Sequence, residues 1–186
     1  AGAYGDGMML NSGTGCVAHG WREKKEAHTS GWGWLGDEGG AFFVGQKVFQ
    51  TVLKDLDGRG PKTLLTKSIF KKFRLKREED FLNFVYQKNP TEIVPSFSVI
   101  CDEVSKRGDK VARGIMVEAA EEAALTAKAV IRRLNFQKKE FPLVLVGGMF
   151  KSKIFLKRIK RKIKKFASKA KFILLKRKPV IGAVKL

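Results

Sequence analysis

Apolar residues recur along this chain with two different periods, and each change of period marks an element. Met8-Met9-Leu10 and the stretch from Cys16 to Trp21 read as two short strands, Met8 to Ser12 and Cys16 to Trp21, joined by Gly13-Thr14-Gly15. Glycine on both sides of Thr14 permits the positive φ angles of a tight hairpin turn. The polar stretch from Glu23 to His28 fits a third, edge strand. From Asp37 the spacing becomes helical: Phe42, Phe43, Val48, Phe49, Val52, Leu53 and Leu56 recur at intervals of three and four. That helix stops at the breaker cluster Asp57-Gly58-Arg59-Gly60-Pro61. Two shorter amphipathic pieces follow, Thr63 to Phe73 and Glu78 to Tyr86, and then a helical segment from Phe97 to Lys106 ended by Gly108. Asp109 is placed to cap a long alanine-rich helix running to about Leu134. Pro142 opens the apolar strand Leu143-Val144-Leu145-Val146, which closes on Gly147-Gly148. A last helix begins near Lys151, with Phe155, Ile159, Ile163 and Phe166 on one face. Lys171 to Leu175 predicts a final strand, and Pro179 to Val184 the start of another helix.

Composition supports a folded, globular chain rather than a disordered one. At 186 residues, 44% hydrophobic and 30% charged, it is one large domain or two small ones with enough apolar surface for a core. The longest apolar run, Phe141 to Phe150, holds a proline and two glycines and is too short to span a bilayer, which takes about 20 apolar residues. No basic region followed by an apolar core opens the sequence, so a secretory leader is not expected. Cys16 and Cys101 are the only cysteines and form no CxxC pair, which predicts buried free thiols in a reducing cytoplasm, with a disulfide left open. His19 and His28 are too few for a metal cluster.

Charge changes the picture more. The net charge of +20 is uneven: residues 1–150 carry all 18 acids against 23 Lys and Arg, whereas residues 151–186 carry 15 basic residues and no acid. A segment that basic attracts polyanions such as nucleic acid or anionic membrane. Within 151–178, however, Phe155 and Phe166 share the apolar stripe, which favours the solvated basic face of a structural helix over a nucleic-acid or membrane contact.

Three glycine-rich stretches are candidates for chemistry. Ser12-Gly13-Thr14-Gly15 can turn backbone N–H groups and a hydroxyl toward a phosphate, because glycine lets the backbone approach a bulky anion; the alternative is an ordinary hairpin turn. Gly31-Trp32-Gly33 with Asp37 and Glu38 suits a polyol, offering a flat aromatic surface and carboxylate acceptors; the alternative for the two acids is capping of the following helix. Gly147-Gly148 follows a buried strand and can lie beneath an adenine or ribose; the alternative is a plain strand-to-helix turn. A run of strand residues into a glycine pair before a helix is the layout of an α/β nucleotide site.

The strings SGTG at 12–15, GWGWLGDEGGAFFVG at 31–45, DGRGP at 57–61, RGD at 107–109, VLVGGMFKS at 144–152 and PVIGAV at 179–184 together resemble one family. It is the N-acetylglucosamine kinase and BadF/BadG-type ATPase group, within the acetate- and sugar-kinase, actin and heat-shock-chaperone ATPase superfamily. The resemblance implies a ribonuclease-H-like, actin-type ATPase lobe: an α/β fold with a mixed sheet of about five strands and a helical insertion over about 61–107. It implies ATP and Mg²⁺ as cofactors. Gly13, Thr14 and Gly15 look like a phosphate-binding turn, Pro95 and Ser96 fall near a position lining the nucleotide, and Gly147, Gly148 and Ser152 look like the adenosine motif. Gly31, Trp32, Gly33 and Asp37 look like the loop that contacts a hexosamine.

Family members have two lobes, the first carrying a phosphate loop of the type DGGGTKT and a catalytic Asp. Neither is found here, so the expectation is a C-terminal lobe alone, without catalytic residues of its own and inactive by itself. The implied reaction is ATP-dependent phosphorylation of N-acetylglucosamine or a related hexose in the cytoplasm. The expected partners are the sugar and an N-terminal lobe in the same protein or a separate subunit, with a homodimer left open. Rival readings are a dehydratase-activator ATPase of the BadF/BadG type, a non-catalytic nucleotide-binding lobe, and a basic nucleic-acid-associated lobe. The activator reading would require paired cysteines at a dimer interface, and Cys16 and Cys101 do not suggest them.

Overall fold

The computed structural model describes residues 5–175. Its elements run β1 (Gly7–Ser12), β2 (Cys16–Arg22), β3 (Lys25–Ser30), α1 (Ala41–Leu56), α2 (Leu64–Phe73), α3 (Glu78–Tyr86), α4 (Pro90–Lys106), α5 (Lys110–Arg133), β4 (Phe141–Val146), α6 (Lys153–Phe166) and β5 (Ala170–Leu174). The five strands form one sheet in the order β3-β2-β1-β4-β5. β1 to β3 are an antiparallel meander, whereas β4 runs parallel to both β1 and β5, so the sheet is mixed.

This topology sets the functional edge. Because β1 and β4 are parallel and Asn11 pairs with Val146, the segments that leave their carboxyl ends are neighbours. Those segments are the Gly13-Thr14-Gly15 turn and Gly147-Gly148. Crevices outside the carboxyl ends of parallel strands are where open α/β sheets bind ligands.

Alternation along the strands sends Met8, Leu10, Ser12, Cys16 and Ala18 to one buried face. Helix α5 covers that face, lying against β2 and β3 and packing in turn on α1, α4 and α6. Its buried stripe is mostly alanine (Ala112, Ala119, Ala120, Ala123, Ala127), which lets neighbouring backbones come close. On the far side of α1, Phe81 packs its ring at 5.3 Å from Phe49 and 6.0 Å from both Phe70 and Phe97, tying α2 and α3 to α1 and α4. Burying Phe81 and Phe97 fully contributes on the order of 2–3 kcal/mol each.

Several boundaries differ from the sequence expectation for identifiable reasons. α1 begins at Ala41, not Asp37, because Gly39 and Gly40 are in extended or left-handed backbone. Asp37 and Glu38 therefore do not cap it. β3 is shifted to Lys25–Ser30, since Arg22 to Lys25 form the hairpin turn. α4 starts seven residues before Phe97: Pro90 occupies its first turn, where a missing N–H costs nothing, and Asn89 caps it through the Thr91 amide. Pro95 is then accommodated inside the helix. Pro142 lies within β4, at its exposed beginning. Ser152, not Lys151, caps α6. The helix expected from Pro179 lies outside the described residues.

On α6 the stripe divides. Phe155, Ile159 and Ile163 are fully buried, whereas Phe166 is half-buried beneath the cations of Lys128 and Arg132. Two cations of α6, Arg158 and Lys162, converge on Glu121 of α5 and hold its carboxyl below the usual range.

Candidate functional site

The Gly13-Thr14-Gly15 turn is anchored from within. The Gly13 amide donates to the Gly15 carbonyl at 3.0 Å, closing the turn. The carbonyls of Gly13 and Thr14 accept from the Ala41 and Phe42 amides at 2.8 and 2.9 Å. The first amides of α1 are thus spent on the turn, so that helix N-terminus presents no free donors of its own at these positions. What the turn exposes is Thr14. The Gly13 amide is engaged with the Gly15 carbonyl within the turn.

Close packing fixes the turn. A Cβ on Gly40 would stand 2.5 Å from the Thr14 carbonyl oxygen, and one on Gly15 would stand 2.5 Å from the Asp37 carboxylate. The Ser12 hydroxyl donates to the Gly39 carbonyl at 2.8 Å in the buried interior. Gly147, with φ of +112°, lies against Ser12 and Asn11 from the other strand. The turn after β1 and the glycines after β4 consequently form one continuous backbone surface. Gly148 has nothing within 4 Å of where a Cβ would project, and Gly13 only the Asn11 side chain at 3.9 Å. The open space in front of these two glycines is the kind of backbone surface a nucleotide needs for close approach.

The loop after β3 is organised by Asp37. One carboxylate oxygen accepts from the Ser30 hydroxyl at 3.0 Å and from the Gly31 and Trp32 amides at 2.9 and 2.8 Å. Ser30, Gly31 and Gly33 have φ of +66°, +84° and +101°, a bend that this acceptor holds in place. Asp37 is 8% exposed, and its second oxygen packs toward Gly15. Its carboxylate holds Gly31 and Trp32, and its own amide donates to the Gly33 carbonyl at 3.0 Å. Trp32 is 80% exposed, whereas Trp34 leans on Phe42 with ring centroids 4.8 Å apart.

The remaining expected site residues are less available. Ser152 is buried, and its hydroxyl donates to Asp102 of α4 at 2.5 Å while accepting from the Phe155 amide at 3.3 Å. It couples α4 to the start of α6, so its hydroxyl is committed. Pro95 and Ser96 lie on α4, where the Ser96 hydroxyl donates to the Ile93 carbonyl. No hydrogen bond among the described residues joins this pair to the glycine surface.

Sequence reasoning passed over the ground beside the loop. Trp32, Gly36 and Glu38 face Glu122, Leu125 and Thr126 of α5 across an open cleft of about 290 Å³. Burial, reinforced by the nearby charges of Glu38, Glu118 and Glu121, pushes the Glu122 carboxyl above its ordinary value. Beneath the turn, burial and then the Asp37 charge push the Cys16 thiol up to about 12. Cys101 is also buried and raised, again first by burial. Both cysteines are free. Among the described residues no helix is long and apolar enough to cross a membrane.

The chain matches the BadF/BadG/BcrA/BcrD ATPase family over residues 2–186 and belongs to it. It is 34% identical over 186 residues to the N-acetylmuramic acid/N-acetylglucosamine kinase of Clostridium acetobutylicum, a match covering 96% of this chain and 60% of that protein. It is 34% identical over 152 residues to the N-acetyl-D-glucosamine kinase of Dictyostelium discoideum, covering 79% of this chain and 48% of the relative. The chain thus spans between about half and three fifths of the curated relatives it matches. A crystal structure of a candidate N-acetylglucosamine kinase from Chromobacterium violaceum superposes with a TM-score of 0.72 at 20% identity, over all of this chain and 60% of that one. The shared architecture is the α/β fold of actin-like ATPases and sugar kinases.

Proposed function

On the premise of that family membership, we propose that this chain supplies one wall of an ATP-dependent kinase site for N-acetylglucosamine or a related hexose. The observation that carries the reading is the continuous backbone surface made by Gly13-Thr14-Gly15 and Gly147-Gly148 at the carboxyl ends of β1 and β4. Two turns from separate strands, open to solvent and buttressed by α1, suit a triphosphate lying across both.

In this reading the Thr14 hydroxyl and the Thr14 and Gly15 amides hold phosphate oxygens, and Gly147 and Gly148 pass beneath the nucleoside. The Asp37-braced loop presents the Gly31 and Gly33 backbone and the Trp32 indole to a sugar, whose apolar ring face packs on aromatic surface. Among the described residues no group of three or more His, Cys, Asp or Glu is placed to hold an ion. Mg²⁺ would then be held largely by phosphate oxygens and water, as is usual for that ion. The kinase reading takes ATP as donor and the cytoplasm as its setting.

Phosphoryl transfer is mainly positioning and charge stabilisation, and it also needs a base for the accepting hydroxyl. We assign that base and the opposite phosphate loop to a first lobe, in the part of the relatives' length that this chain does not span. The dehydratase-activator alternative is disfavoured by Cys16, which is buried and has a raised pKa, the reverse of a cluster ligand.

Calorimetric titration with the magnesium complex of a non-hydrolysable ATP analogue tests the reading. Saturable binding is expected, weakened about tenfold by Thr14→Ala, the loss of one hydrogen bond to a charged group. No saturable binding, or equal affinity in the variant, would overturn it.

A further inference from the structure

The cleft beside the loop carries two carboxylates, Glu38 and Glu122, that nucleotide and sugar binding leave unused. Its walls come from two distant parts of the chain: Trp32 and Glu38 from the loop, and Glu122, Leu125 and Thr126 from α5. The two carboxylates stand out in a chain whose net charge is +20. Their neighbours on α5 are neutralised, Glu118 by Lys47 at 2.7 Å and Glu121 by Arg158 and Lys162. Among the described residues neither Glu38 nor Glu122 makes a salt bridge, although cations outnumber acids about twofold overall.

Three further features complete the cleft. Trp32 is almost wholly exposed, so its indole face is open to a ligand. Leu125, 55% exposed, offers an apolar contact for a short alkyl segment. Thr29, on the floor, has a hydroxyl oxygen that is buried and without a hydrogen-bond partner. An aromatic face, an apolar shelf and two uncompensated carboxylates are the ingredients of ammonium recognition, in which cation–π attraction adds to charge pairing. The volume of about 290 Å³ is at the small end for organic ligands.

The geometry points to this cleft as a binding site for a small aliphatic ammonium ion, with Glu38 and Glu122 as counter-charges and Trp32 as the cation–π wall. A ligand bearing two ammonium groups on a short methylene chain matches both carboxylates while its methylenes lie along Leu125. The groups facing Glu122 from neighbouring elements are Glu38 of the loop, Glu118 and Glu121 of α5 and Lys47 of α1. With Glu118 paired to Lys47 and Glu121 to Arg158 and Lys162, the uncompensated negative charge lies on Glu38 and Glu122, and an ammonium ion between them relieves it. The site shares Trp32 with the proposed sugar loop but no residue with the glycine surface, so its occupancy stands or falls independently of the nucleotide reading.

The test is calorimetric titration of the chain with 1,4-diaminobutane at low, constant ionic strength, with 1,4-butanediol as the uncharged probe of the same shape. Saturable binding of the diamine and none of the diol is expected, with affinity reduced at least tenfold by Glu122→Gln. Trp32→Ala, at a surface position, is expected to fold normally and also to weaken the diamine. Thermal melting of both variants confirms that the fold is kept. Absence of saturable diamine binding, equal heats from diamine and diol, or unchanged affinity in Glu122→Gln would each overturn the proposal. Glu92→Gln, on α4, is the charge control: an equal loss there would mean diffuse screening rather than a site.

Discussion

A methyl group on Gly147 would stand 2.1 Å from the carbonyl oxygen of Ser12. The contact welds the exit of β4 to the exit of β1, and the +112° φ at Gly147 makes any side chain there doubly unfavourable. Gly148, one residue on, has no neighbour within 4 Å of its missing Cβ. Gly147→Ala is therefore expected to destabilise the chain by about 1–3 kcal/mol from backbone strain alone, with the clash adding to it. That corresponds to a melting temperature lower by several degrees, at roughly 2–4 °C per kcal/mol. Gly148→Ala should melt close to the parent and yet bind nucleotide more weakly, because its methyl fills open space on the proposed nucleotide surface. Melting separates the two variants, and titration with the ATP analogue tests both.

Asp37 gives the second prediction. Its carboxylate collects the Ser30 hydroxyl and two consecutive amides, which without it would be left in a bend of three positive-φ residues. Asp37→Ala should release the loop, at a cost of about 1–3 kcal/mol for donors left unsatisfied. Limited proteolysis should then cut between residues 31 and 38, where the parent resists. Sugar binding should fall with it even though the carboxylate itself faces the loop. Rescue of proteolytic resistance by Asp37→Asn, which keeps one acceptor oxygen, would separate the hydrogen-bond role from the charge.

The two glycine turns were legible in the sequence because both are local: an apolar strand ends, and glycine follows at once. The strand order was not, since nothing in Met8 to Ser12 announces that its parallel neighbour lies more than 130 residues away at Leu143 to Val146. Asp37 read as a polyol acceptor, with a helix cap as the alternative, because the Gly31 and Trp32 amides it holds precede it and leave no mark in sequence. The early start of α4 was hidden by Pro90 and Pro95, although the first sits where helices tolerate proline. The cleft escaped for a different reason. Glu118, Glu122 and Thr126 repeat at intervals of four and so share one face of α5, a signal that was present but had no partner until Glu38 folded against it.

Asp109 yields a pH prediction. Burial alone would raise its carboxyl, but hydrogen bonds from the Ala112 and Leu64 amides and the Thr63 hydroxyl outweigh burial and hold it below the ordinary carboxylate value. It caps α5 and at the same time ties the start of α2 to it. Because its folded pKa is depressed, this contribution is complete above the unfolded value and is lost as the pH falls through the folded one. Acid unfolding of the parent should therefore draw on Asp109 below about pH 4. Asp109→Asn should lower stability at neutral pH and flatten the acid limb, as followed by circular dichroism across a pH series. An unchanged acid limb would mean other carboxylates dominate it.

Catalysis gives the last prediction. Transfer to a sugar hydroxyl needs a base with a free lone pair beside the acceptor, within about 3 Å of the proton. Near the glycine surface the buried carboxylate is Asp37, and the oxygen facing the sugar loop already accepts three hydrogen bonds. Glu38 points to the α5 cleft instead. The Ser12 and Ser152 hydroxyls are engaged with Gly39 and Asp102. On the proposed reading the chain therefore grips phosphates on one side without activating an acceptor. It is expected to bind the ATP analogue and yet form no sugar phosphate from ATP and N-acetylglucosamine above the uncatalysed background, as read by phosphorus NMR. Turnover approaching the 1–100 s⁻¹ that is typical of kinases, at roughly the scale expected of a complete site, would show that a base is already present on this wall. Addition of a first lobe from a relative restoring transfer, with Thr14→Ala abolishing the rescue, would locate the missing chemistry on the opposite wall.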